Sequence, residues 1–367
     1  MNKTALFLAT FTTLASLSYG KEVSIAPITI IETQEIIVDK FKPNGNADLS
    51  YTYYGQDEHN SKDYGRLQFL GKINMTEKQN IEWRIREYRA FQNQDNKYDG
   101  ERKISDHGDF SDMRFRYHYN TGFLGNSKIN LTHRLEYRTY TGNKDGQILY
   151  DSDSNPVNSL VAKDSQYIDY TARLEFKDYI SNYTPDWFKN TSFVLAPRYR
   201  YGWASNDSDY YNRLGLNMYS NFDMPYGFSF EFNLYGYYQD YGQDKSTYTK
   251  NGIKNGTTSD LWALEMEAYL YWTHLLWSNS NWKLSANFEG GYDPYTFNSE
   301  RTSNQGSKNS YELYAEPSLK ADYAITDSMS VYGMVHAKYF NWDYQNQSNA
   351  RDWVWQPRVT LGIKTTF

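Results

Sequence analysis

Arginines recur two residues apart in this sequence: Arg84 and Arg86, Arg114 and Arg116, Arg198 and Arg200, with Arg134 and Arg138 four apart. On an extended chain, residues an even number of positions apart project to the same side. Each set therefore places its guanidinium groups on one face of a strand. Arg66, Lys72, Arg173, Arg358 and Lys364 join that face once the apolar residues of their segments are assigned to the other. Carboxylates obey the same rule further along the chain, at Glu231, Glu265, Glu267, Glu289, Glu312, Glu316 and Asp322. Set around one enclosed space, a basic arc and an acidic arc would face each other. Their transverse field would orient dipolar solutes and separate the paths of anions and cations. The competing reading is cross-strand ion pairing that stiffens a sheet, with Glu82 beside Arg84 and Glu136 beside Arg134 as the plainest cases. Five neighbouring segments carry more arginine than those acids neutralise.

Bond-making chemistry finds little support. His59 and His107 fall in polar connections, His118 and His336 share the charged face, and His133 and His274 stand alone. There is no Gly-x-Ser-x-Gly elbow, no His-Glu-x-x-His pair and no Gly-rich phosphate loop. No Ser or Thr can be set beside both a His and an acid. Asp151-Ser-Asp153-Ser-Asn155 opens like a calcium loop, but Pro156 stands where Gly is needed and Ala162 where Glu is needed. The chain reads as a non-enzyme without metal or cofactor. Its net charge of −6 runs against a nucleic-acid partner.

The charged faces need elements that hold them, and the rest of the chain supplies these. From about residue 46 onward, segments of ten to sixteen residues alternate apolar with polar. The expected strands are 46–56, 64–75, 80–92, 109–121, 127–141, 165–178, 190–203, 209–221, 227–241, 260–274, 281–294, 309–324, 328–342 and 352–367. Within 127–141, Ile129, Leu131, Leu135 and Tyr137 oppose Asn130, Thr132, Arg134, Glu136 and Arg138. A soluble sandwich also alternates, but its strands average about 5–6 residues. Strands of about ten or more suit a tilted membrane wall. The mean hydropathy of −0.82 is compatible with that, because only alternate residues meet lipid. Aromatics at 18% provide rings that settle at membrane interfaces.

The expected fold is all-β: a transmembrane antiparallel β-barrel of about 14 strands over residues 44–367, with short periplasmic turns and longer external loops. The turns at 76–79, 122–126, 223–227, 278–281 and 326–327 are tight, and the connections between them are longer and polar. Fourteen strands about 4.8 Å apart, tilted by about 42°, make a cylinder roughly 29 Å across, too wide for side chains alone to fill. The lumen then holds water unless a loop enters it. The third external loop, about 142–163, carries Asp145, Asp151 and Asp153 and is expected to fold inward as a constriction loop; the alternative is a surface loop.

Both ends carry export signals. Lys3, an apolar run from Ala5 to Leu17, and Ser18-Tyr19-Gly20 describe a signal peptide over residues 1–20. Residues 21–43 are Ile-rich and read as a periplasmic N-terminal extension or a flexible tail. At the other end, Trp353, Trp355, Pro357, Val359, Leu361, Ile363, Thr365 and Phe367 share one parity. A terminal Phe closing such a strand is similar to the C-terminal insertion signal read by the outer-membrane insertion machinery. Glu87 and His133 break the apolar parity of their strands. Either that sector of wall packs on another protomer or these residues sit at headgroup level.

Six stretches carry a family resemblance: FKPNGNADLSYTYYGQ (41–56), GRLQFLGKINMTEKQNIEWRIREYR (65–89), RFRYHYNTGFLGNSKINLTHRLEYR (114–138), NFEGGYDPYTFN (287–298), YELYAEPSLKADY (311–323) and WQPRVTLGIKTTF (355–367). In these the chain resembles the fusobacterial major outer-membrane porins of the FomA type, most weakly between about 142 and 260. The resemblance implies a homotrimeric, weakly selective, voltage-sensitive diffusion porin that also has surface adhesion partners. The function expected is passive passage of ions and small hydrophilic solutes across the outer membrane, in contact with its lipid. Two rivals stand beside it. One is a channel specific for acidic or sugar-like solutes, for example acidic sugars or peptides, with Tyr235, Tyr237, Tyr269 and Tyr271 as a sugar track rather than interior packing. The other is a barrel-based adhesin.

Overall fold

The computed structural model describes residues 41–56, 63–90, 110–142, 165–204, 210–248, 254–299, 309–344, 347–348 and 353–367. The expected signal peptide, residues 21–40 of the extension, and the third loop with Asp145, Asp151 and Asp153 lie outside the described residues.

Fourteen strands form the wall: β1 Asn44–Tyr54, β2 Tyr64–Asn74, β3 Gln79–Ala90, β4 Phe110–Phe123, β5 Asn130–Gly142, β6 Ser165–Glu175, β7 Lys189–Ala204, β8 Tyr210–Asp223, β9 Phe228–Tyr248, β10 Lys254–Ser278, β11 Trp282–Asn298, β12 Asn309–Thr326, β13 Met329–Tyr344 and β15 Val354–Thr366. The two-residue β14, Gln347–Ser348, pairs only with β13. Every wall strand runs antiparallel to its neighbours in sequence. β15 pairs with β13 on one side and with β1 on the other, from Asn46↔Thr366 to Tyr54↔Arg358, so the sheet closes on itself. Closure leaves no unpaired edge, which is the condition for a sheet to cross a bilayer. No described helix is long and apolar enough to cross.

The faces are inverted relative to a water-soluble protein. Leu49, Leu67, Leu135, Ile168, Leu214 and Leu361 stand exposed on the outside, while Thr52, Arg134, Asp169 and Asn217 are buried within. Apolar side chains cover the outside because lipid is the solvent there. At the end where the tight turns lie, Tyr183, Trp187 and Tyr226 are the most exposed aromatic rings, as in an interfacial belt. Among the described residues the inside has no continuous apolar core. One small cluster, Tyr237, Tyr241, Leu261 and Ala263 with Tyr211 against it, sits on β8 to β10.

The seam explains Phe367 locally. Gly45 N–H donates to the Phe367 carbonyl at 2.8 Å and Phe367 N–H to the Gly45 carbonyl at 3.1 Å. The Phe367 ring lies over Gly45, where a Cβ would come within 2.8 Å of the ring Cζ. Only glycine admits that close approach.

Two regions depart from the sequence expectation. β9 and β10 run on past 241 and before 260 into a long ribbon, pairing Ser246↔Thr257 and Tyr248↔Lys254. Residues 242–259 are polar on both parities. A ribbon that meets water on both faces keeps its ladder without apolar alternation, so its pattern reads as loop. β6 stops at Glu175 rather than at 178, and the connection to β7 spans 176–188 and holds a one-turn helix, α1 (Lys177–Ile180). Glu175 ends β6 there. One of its oxygens accepts the N–H groups of Lys177 (3.0 Å) and Phe193 (2.8 Å), and the other accepts the Ser192 hydroxyl at 2.8 Å.

Candidate functional site

A polar chamber of about 860 Å³ lies in the lumen, lined by nine arginines from β3 to β8 and by carboxylates from β9 to β11. The strand pleat puts these side chains inside, and the ladder register decides which of them meet. Arg84, Arg114 and Arg138 are direct cross-strand neighbours on β3, β4 and β5. Three guanidinium groups side by side repel one another, and the acids between them hold the row together.

Three acids thread the basic wall. Asp112 accepts Arg84 Nη2 at 2.8 Å and is held in a fork by Arg138, at 2.8 and 2.9 Å to its two oxygens. Asp169 is fully buried; it accepts Arg200 Nε at 2.9 Å and the Arg198 guanidinium, with Arg134 at 3.8 Å. Glu136 pairs with Arg116 and accepts the Tyr167 hydroxyl at 2.7 Å. Charge-assisted, two-pronged bonds of this kind fix both position and angle. Glu136 thus joins Arg116 across the β4–β5 ladder rather than its chain neighbour Arg134. Glu82 lies near Lys72 (3.9 Å) and His118 (3.4 Å) rather than Arg84.

Several cations of this wall have no carboxylate partner among the described residues. Arg114 has none. Arg173 lies over the Tyr219 ring, its guanidinium carbon 4.6 Å from the centroid. Arg213 donates to Gln239 Oε1 at 2.6 and 2.8 Å, and Arg86 to Gln68 Oε1 at 2.6 Å. The basic wall keeps a surplus of positive charge after its internal pairs are counted.

The facing wall is built differently. Tyr235 donates to Glu267 at 2.6 Å, Tyr237 to Glu265 at 2.8 Å, Tyr269 to Asp293 at 2.7 Å and Tyr271 to Glu231 at 3.4 Å; Tyr314 donates to Glu289. Asn233 Nδ2 bridges Glu231 (2.6 Å) and Glu267 (3.2 Å). None of these five carboxylates forms an ion pair among the described residues. Tyr235, Tyr237, Tyr269 and Tyr271 therefore commit their hydroxyls to bracing the acids.

The remaining charged positions stand apart from the chamber. Glu312 pairs with Lys338, Glu316 with His336 and with Arg358 at 2.7 Å, Asp322 with Lys320 at 2.5 Å, and Lys364 with Asp48 at 3.7 Å. Arg66 packs over the Tyr54 ring at 5.3 Å near the long-loop end. Arg66, Lys72, Arg86, Arg358, Glu312 and Glu316 are thus inward without lining the chamber. On the outside, Glu87 pairs with Arg89 toward the long-loop end. His133 bonds the Tyr170 hydroxyl at 2.7 Å and stacks near Tyr119, toward the tight-turn end. Asp112, Asp169, Arg213 and Asp293 were not singled out from sequence. Parity could have found them, since Asp112 alternates with Arg114 and Arg116, and Asp293 with Glu289. Among the described residues no cluster of His, Cys, Asp or Glu could hold a metal ion.

No protein-family profile matches the chain, and no curated protein matches it by sequence. Solved structures do match in outline. The outer membrane channel DcaP of Acinetobacter baumannii is 10% identical, covering 89% of this chain and 96% of its own, at a TM-score of 0.34. The Acinetobacter baumannii outer membrane protein Omp33 is 10% identical over 88% and 99%, at 0.32. The NanC porin is 12% identical over 69% and 93%, at 0.30. Similarity this low carries nothing beyond outline, and the class of the protein follows from its own wall. A closed antiparallel cylinder with lipid-facing apolar residues outside and a charged lumen inside is an outer-membrane β-barrel.

Proposed function

We propose that the chain is a passive diffusion porin for ions and small hydrophilic solutes. The supporting observation is the chamber itself, a polar space of about 860 Å³ with arginines on one side and carboxylates on the other. A lumen with charge on both walls suits the passage of ions and small polar solutes down a gradient. FomA-type membership, a homotrimer and voltage sensitivity are part of the proposal through the sequence resemblance. So are a signal peptide at 1–20, a periplasmic segment at 21–43, and a third loop that narrows the pore with Asp145, Asp151 and Asp153. Planar-bilayer recording on purified protein tests the core of it. Stepwise conductance in KCl is expected, with a small reversal potential across a salt gradient because the two walls favour opposite ions. A bilayer left silent at all voltages would refute the reading.

The rival, a channel specific for acidic or sugar-like solutes, would use the ring faces of these tyrosines, whose hydroxyls are held by carboxylates; a saturable block of conductance by such a solute would favour it.

A further inference from the structure

We infer that the chamber favours short zwitterionic peptides, whose ammonium and carboxylate ends reach the two walls at once. The inference rests on the pore reading above and names a solute class for it.

Both walls line one chamber, so a single solute meets both charges. Neither wall is cancelled where it stands. Arg114 and Arg173 have no carboxylate partner among the described residues. The opposing carboxylates have only neutral donors: tyrosine hydroxyls and the Asn233 amide. A hydroxyl orients a carboxylate and leaves its charge in place.

Size then selects among dipolar solutes. A sphere of that volume is about 12 Å across, and an extended chain advances roughly 3.3–3.6 Å per residue. The terminal charges of a peptide of two to four residues stand about 7–14 Å apart, which matches the space. A free amino acid carries both charges on adjacent groups and engages one wall only. A solute with net charge is drawn to one wall and repelled by the other. An extended zwitterion is attracted at both ends and turns its carboxylate toward β4 to β7 and its ammonium toward β9 to β11.

Proteoliposomes carrying the intact protein provide the test, with uptake of labelled peptides compared at neutral pH. The probes are triglycine, its doubly blocked uncharged form, N-acetyl-triglycine, triglycine amide and glycine. Triglycine is expected to enter at least about threefold faster than the blocked form of similar size, an advantage set by focused lumen charge. Raising salt from about 0.01 M to 1 M shortens the screening length from roughly 30 Å to 3 Å and should erase the advantage in unaltered protein. The triple variant Glu231→Gln, Glu267→Gln, Glu289→Gln keeps hydrogen-bond acceptors for the tyrosines. It should remove the preference for triglycine and leave N-acetyl-triglycine favoured. Equal entry of triglycine and its blocked form, through protein that conducts KCl, overturns the peptide assignment and leaves the pore standing. A preference that survives 1 M salt overturns it as well. Absence of KCl conductance overturns the pore itself.

Discussion

The two walls of the chamber hold their charge by opposite means. On β3 to β7, arginines are locked by buried acids: Asp112 between Arg84 and Arg138, and Asp169 among Arg134, Arg198 and Arg200. On β9 to β11, carboxylates are locked by tyrosines. An ion pair positions a side chain and cancels its charge; a hydroxyl positions it and cancels nothing. The basic wall needs the first device because its guanidinium groups crowd one another across the ladder. The acidic residues are spread over three strands and can afford neutral partners. Stability should therefore reside mainly in the acids of the basic wall, and selectivity mainly in residues that are not ion-paired.

The largest effect separates the walls directly. Asp169→Ala leaves three arginines facing one another around a site with no solvent exposure. Removing one partner of a buried charge network typically costs about 3–5 kcal/mol. Glu267→Ala strands only neutral groups, Tyr235 and Asn233, and should cost about 1–3 kcal/mol. Denaturant unfolding in detergent, read by loss of β-sheet signal, measures both. Equal costs would erase the distinction between the walls.

Next in size is Tyr235→Phe. It removes the hydroxyl that donates to Glu267 at 2.6 Å and keeps the ring. A hydrogen bond to a charged group is worth about 1.5–3 kcal/mol when buried, and Glu267 retains Asn233 as a donor, so the lower end applies. The charge stays, so the reversal potential in a salt gradient should not move. A shift toward anions would mean that the tyrosine, not the carboxylate, sets the field. Glu231→Gln with Glu267→Gln does the converse. Stability should change little and the anion-to-cation permeability ratio should rise about two- to fivefold, an effect that high salt weakens.

How much of this was legible in the sequence follows from what leaves a one-dimensional trace. All fourteen strands were, because two unlike solvents on the two faces write a period of two into residues such as Ile129, Leu131, Arg134 and Glu136. The β9–β10 ribbon beyond residue 241 was not, since both its faces are polar. Neither was α1, where Glu175 draws three donors to itself and stops β6. Inward parity identified the arginines, but not their levels along the barrel axis. Glu312 and Glu316 share the inward parity of Glu289, but only the register of β12 with β13 and of β13 with β15 shows that they are paired with Lys338, His336 and Arg358. The pairing of Glu136 with Arg116 is likewise a property of register, because Arg134 is nearer in sequence.

The smallest expected effect is also the sharpest test of the division. Arg114 sits in one row with Arg84 and Arg138, yet both of those bond Asp112 and Arg114 does not. Its charge is repelled from two sides and balanced only from a distance by Glu136, with no ion pair of its own among the described residues, so Arg114→Gln should leave stability within about 0.5 kcal/mol of the parent or slightly raise it. Arg138→Gln breaks the fork on Asp112 and should cost distinctly more, about 2–3 kcal/mol for two charge-assisted bonds. Each change removes one positive charge from the same wall. In a salt gradient, however, Arg114→Gln should lower anion permeability more, because the charge of Arg138 is already balanced by Asp112. Were the two variants to move selectivity equally while only Arg138→Gln unfolded early, ion pairing would govern rigidity alone and the surplus charge of the basic wall would act as a single smeared field.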